Sequence, residues 1–156
     1  EDQKTANIYV IETGSVISWS SLIALGRNVS GNYSFQDFAV ADSMLQMSNF
    51  NDSINNTFTS NGYPIKTENF KIFDNIVSNV PVANSTNNSN FYTGILWDSS
   101  DGGNYYDGTQ DIIFVTFTNS TRQGKFGFYN YEVRVPASLK NYKLGAGTVS
   151  FYIEII

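Results

Sequence analysis

The sequence predicts an all-β fold, a single antiparallel β-sandwich of jelly-roll or immunoglobulin-like kind, and three observations carry that expectation. Apolar and polar residues alternate with period two along Thr148–Ile156, as a strand with one buried face requires. The run Ile112-Ile113-Phe114-Val115-Thr116-Phe117 is apolar on both faces, the pattern of a central strand covered from two sides. Turn-forming Gly, Asn-Gly and Asp-Gly residues punctuate the chain every ten to twenty residues or so, and no long helical pattern intervenes.

The elements follow in order. Asn7–Thr13 alternates, with Ile8 and Val10 on one face and Tyr9 and Ile11 on the other, and fits either a first strand of the sandwich's own sheet or a donor strand that completes the sheet of a neighbour. Val16–Leu25, Phe70–Val77, Phe91–Trp97, Asp111–Thr118 and Phe126–Val135 read as further strands, the last ended by Pro136. In Thr148–Ile156 the apolar Val149, Phe151, Ile153 and Ile155 are expected to face the core, leaving Glu154 on the solvent face, as Glu132 is on its own strand. One short helix fits Phe38–Met47, where Val40, Met44 and Met47 share a helical face after a Ser34-x-x-Asp37 cap, although the same residues also fit a strand. Asn49–Ser60 and Ala83–Asn90 are polar enough to be loops. At 156 residues the chain is one domain. It divides into a tail at 1–13 and a sandwich at 14–156, with Gly14 between them.

Composition narrows the function. Charged residues make up 15%, against about 25% in ordinary soluble domains, while Asn, Ser and Thr supply nearly a third of the chain. There is no Cys and no His, which removes disulfides, thiolate metal sites, imidazole bases and catalytic triads. A net charge of −5 and nine Lys plus Arg argue against nucleic acid. No stretch is apolar enough to span a bilayer as a helix. A glycosidase would need two facing carboxylates, and no pair among Asp98, Asp101, Asp107, Asp111, Glu132 and Glu154 is marked out, so a non-enzymatic role is expected.

Seven Asn-x-Ser/Thr acceptors occur, at Asn28, Asn32, Asn51, Asn55, Asn84, Asn87 and Asn119. Random order of the same composition would give about 3.7. The excess, concentrated in polar segments, points to N-linked glycans and an extracellular location. Replacing charge by neutral Asn, Ser, Thr and Tyr keeps hydrogen bonds intact in acid, so a life in acidic surroundings is a further expectation. The segment from Asp98 to Asp111 gathers Asp98, Asp101, Asn104, Asp107 and Asp111 around glycines. It reads either as turn chemistry or as a calcium loop, without the spacing of an EF-hand. Trp97, Tyr105 and Tyr106 beside it are the candidate sugar-stacking cluster.

Taken together, the alternating segment Asn7-Ile-Tyr-Val-Ile-Glu-Thr13, the dense acceptors, the lack of Cys and His and the strand Thr148–Ile156 resemble the secreted surface-filament subunits of archaea, of thread and bundling-pilus type. That resemblance implies a glycosylated β-sandwich assembled head to tail with copies of itself. Ile8, Val10 and Ile11 would then belong to a donor strand that completes the sheet of the next subunit. The long hydrophobic N-terminal helix of type IV pilins and archaellins is absent from this sequence. The competing expectations are an archaeal pilin ectodomain, an archaellum accessory or S-layer-associated protein, and a carbohydrate-binding adhesion module. An S-layer-associated protein or an adhesion module would keep residues 7–13 in its own sheet.

Overall fold

The computed structural model describes residues 5–83, 92–119, 123–124, 127–128 and 148–156. In chain order the elements are β1 (Thr5–Glu12), β2 (Leu22–Ala24), α1 (Asp37–Met44), α2 (Ile54–Phe58), β3 (Thr59–Ser60), β4 (Tyr63–Pro64), β5 (Thr67–Ile72), β6 (Asn75–Ala83), β7 (Tyr92–Asp98), β8 (Ile112–Asn119), β9 (Gln123–Gly124), β10 (Gly127–Phe128) and β11 (Val149–Ile155). The main sheet runs β11-β1-β8-β7-β6-β5, antiparallel at every pairing. The second edge of β7 is divided: β6 pairs with it at Gly94 and Thr93, and β2 at Trp97 and its neighbours.

β6 turns the sheet into a sandwich. Its last residues, Val82 and Ala83, pair with β7, while the stretch from Asn75 to Pro81 pairs with β5. The β5–β6 hairpin folds back over the main sheet, and Phe70, Ile72, Val80 and Val82 pack there against Tyr9, Ile11, Leu96, Ile113 and Val115. Gly94 makes this close approach: a Cβ there would lie 2.7 Å from both Phe70 and Val80. On the opposite face α1 and α2 bring Phe38, Ala41, Ile54 and Phe58 onto Leu25, Ile95 and Trp97. Alternation in β7 and β8 sends successive residues to opposite cores, so both strands are covered twice, as the apolar run at 112–117 predicts.

Several elements depart from the sequence reading. Phe70–Val77 is two strands joined by a turn in which Phe73 has φ 50°. Val16–Leu25 narrows to β2 behind a 3-10 turn at Trp19–Ser21. The helix near 38–47 forms, but its buried residues are Asp37, Phe38, Ala41 and Asp42, and Met44 is exposed. Within Asn49–Ser60 lies α2, held by tertiary capping: the Asp42 carboxylate accepts from the N–H groups of Ile54 (2.7 Å) and Asn55 (3.1 Å), and Ser53 Oγ from that of Asn56. Most of Phe126–Val135, and Ala83–Asn90 beyond Ala83, lie outside the described residues.

Candidate functional site

Of the two expectations for the alternating segment near the start, a first strand of the domain's own sheet and a donor strand, the single chain shows the first: the segment is an interior strand of its sheet. β1 pairs with β8 on one side (Ile8 opposite Thr116, Val10 opposite Phe114) and with β11 on the other (Ile8 opposite Ile153, Val10 opposite Phe151). Within one chain, then, residues 5–12 are not a tail separate from a sandwich at 14–156. They close the gap between β8 and β11.

The anchoring face is Asn7, Tyr9 and Ile11, which point into the core under the β5–β6 hairpin. Ile8 is buried on the other face, and Val10 is half-buried there. Of the expected donor residues, Ile11 therefore sits on the face opposite Ile8 and Val10. Tyr9 is fully buried, with its ring 4.8 Å from that of Trp19. Its hydroxyl donates to the Glu154 carboxylate of β11 and accepts from Asn7 Nδ2 at 3.3 Å. Asn7 Nδ2 also donates to Lys71 O at 2.7 Å. The second Glu154 oxygen accepts from Phe73 N–H at 2.6 Å, so one side chain ties the edge strand to the hairpin above it. Burial, reinforced by the bond to Glu154, pushes the Tyr9 phenol far above its usual range.

This arrangement corrects the expected orientation of the C-terminal strand. Tyr152 and Glu154 share the face of Tyr9 and Asn7, while Phe151, Ile153 and Ile155 are exposed by 52%, 66% and 59%. The polar row lies inward because Tyr9, Asn7 and the Phe73 amide need partners there.

The acidic segment is turn chemistry. Asp98, fully buried, accepts from Ser18 N–H (2.7 Å) and Ser100 N–H (2.9 Å). Asp101 accepts from Asp111 N–H, and Asp107 from the N–H and hydroxyl of Thr109. Asn104 contributes its carbonyl to Val29 N–H. Among the described residues no three acidic side chains gather around one point, and the carboxylates of Asp98, Asp101 and Asp107 accept from the chain's own donors. The expected sugar-stacking cluster also dissolves, because Trp97 and Tyr106 are core residues and only Tyr105 is exposed.

The acceptor asparagines divide by geometry. Asn32 and Asn51 are exposed in loops. Asn28 Oδ1 holds its own turn by accepting from Ser30 and Asn32 N–H. Asn55 lies in α2 with Oδ1 bonded by the Thr59 hydroxyl. Asn84 and Asn87 lie outside the described residues, and Asn119 ends β8.

One buried carboxylate bears on the acid expectation. Asp37 accepts from Gly26 N–H at 3.1 Å and from the Ser34 hydroxyl, yet burial outweighs these bonds and raises its pKa from 3.8. A raised folded-state pKa favours the neutral acid on folding. The stability it contributes is fully present below the ordinary carboxylate range and is lost as pH rises through the folded value. Asp37→Asn, a fixed neutral isostere, should therefore cost less stability at pH 7 than at pH 3, measured by urea unfolding at both; equal costs would contradict this assignment.

Comparison with family models, with curated proteins and with solved structures returned no match.

Proposed function

We propose that this chain is a structural subunit of an extracellular, glycosylated filament, in which β1 closes its own sheet in the free subunit and is exchanged between copies on assembly. In the free subunit β1 sits between β8 and β11, as the S-layer-associated and adhesion readings also expect; what supports exchange is that β1 alone links those two strands among the described residues, a seat that the same strand of a copy fills equally well. Exchange of an identical strand recreates the same registers and the same burial, so the assembled state loses none of these contacts. The connection that would have to extend lies between Glu12 and Ser18, where Gly14 has φ 97° and Val16 is 85% exposed; beyond it Ser18 is held by Asp98. Among the described residues β11 ends the sheet order, and its exposed apolar row adds a surface suited to self-association. Calcium forms no part of this proposal.

The chain's lack of Cys allows a clean test. Ile8→Cys with Thr116→Cys places two thiols on directly opposed residues of β1 and β8, within the span a disulfide bridges. Oxidised subunits should stay monomeric by negative-stain microscopy and form filaments on reduction. Filaments from the oxidised form would refute strand exchange. Monodisperse wild-type particles under all conditions would favour the reading in which β1 stays in place, an S-layer-associated or adhesion module.

A further inference from the structure

We propose that the groove between the β5–β6 hairpin and the loops flanking β2 binds a saccharide, independently of the filament reading. A cavity of about 390 Å³ opens there, within the size range of small-molecule sites. Trp19, Arg27, Asn28, Asn75, Ser78 and Asn79 line it. Their chemistry selects the ligand class. Arg27 is the one charged side chain of the lining, and the other polar groups are neutral amides and hydroxyls that both donate and accept. A phosphate would call for more positive charge, and a hard cation for carboxylates. A polyhydroxylated ring needs neutral bidentate partners and an aromatic surface for its C–H face.

Trp19 lines the groove and is already fixed in place. Its ring contacts those of Tyr9, Phe73 and Tyr152 at centroid distances of 4.8, 5.4 and 5.8 Å, and it remains half-buried at the groove. Rings held this way lose little freedom on binding.

Arg27 extends the site. Its guanidinium lies 4.8 Å from the centre of Tyr33, and its Nη1 donates to Gly31 O at 2.7 Å. Tyr33 in turn packs against Phe35 at 4.8 Å and Tyr63 at 6.1 Å. Phe35 and Tyr63 are 45% and 60% exposed, so this trio lies outside both cores. Groove and trio meet at Arg27, whose cation suits the carboxylate of a uronic acid.

The two tryptophans provide the readout, since Trp97 is fully buried and Trp19 alone lines the groove. Unglycosylated protein is titrated with cellohexaose and with a hexamer of guluronic acid, following tryptophan fluorescence and, in parallel, calorimetry. Saturable binding of either is expected, weakened about tenfold by Asn75→Ala or Tyr63→Ala, both at exposed positions that the core does not use. Preference for the uronic hexamer, lost in Arg27→Gln, would place its carboxylate at Arg27. Binding that disappears only when the protein is produced glycosylated would identify the chain's own sugar as the occupant of the same groove. No binding of either hexamer, or binding unaffected by both alanine variants, would overturn the proposal.

Discussion

Tyr9→Ala is expected to remove most of the stability of the monomer. Truncating a fully buried aromatic side chain costs about 3–5 kcal/mol, against a total of roughly 5–15 kcal/mol for a domain of this kind. The loss extends past the cavity. Without the hydroxyl, Glu154 keeps its bonds to Phe73 and Asn7 but loses the one to Tyr9, and the edge-to-face contact with Trp19 disappears. Tyr9→Phe separates the two effects. It retains the ring and removes the hydrogen bond to the Glu154 carboxylate, worth about 1.5–3 kcal/mol, together with the longer one from Asn7. Urea unfolding of monomers isolated by size exclusion measures both. A midpoint for Tyr9→Ala equal to that of the wild type would mean that the strand does not occupy this seat in the free subunit.

The second large effect is expected on the opposite face, from Gly26→Ala. Gly26 has φ +85°, a conformation that costs an L-residue about 1–2 kcal/mol. A Cβ built there would also stand 2.7 Å from Phe38 Cε2 and 2.9 Å from Cζ, with Phe38 locked in the helix-side core. Forcing an extra carbon into a packed core adds about 1–3 kcal/mol, so the sum is about 2–5 kcal/mol. The same turn carries the N–H that Asp37 accepts, so α1 should loosen together with it. Thermal unfolding and amide exchange across residues 37–44 check this. Unchanged protection of α1 would show that the turn tolerates the side chain.

These two residues also show which parts of the structure were legible in the sequence. Strands β7, β8 and β11 were readable because period two or continuous apolarity marks them without outside help. The face of β11 was not, because hydropathy alone sends Ile153 inward, whereas hydrogen bonding to Tyr9 and Asn7 fixes Glu154 there. Helix α2 carries the sequence Ile-Asn-Asn-Thr-Phe, weak in propensity, and it forms because Asp42 of another helix caps it. A turn with Phe73 at positive φ has no compositional mark. For the groove, the limit was distance along the chain. Tyr33, Phe35 and Tyr63 look like unrelated aromatics until the β3–β4 region brings Tyr63 within 4.8 Å of Phe35.

The pairing of β1 with β11 joins Ala6 to Ile155, among the most widely separated neighbours in the sheet. Such a ladder is slow to nucleate, since the loop it closes runs from Ala6 to Ile155. A chain emerging from its N-terminal side therefore carries one flank of β1 unsatisfied until residues 149–155 are released. During that interval a strand from another molecule competes on equal terms for the vacant ladder, so the rate of synthesis and the local crowding of nascent chains become determinants of whether single subunits or joined ones are made.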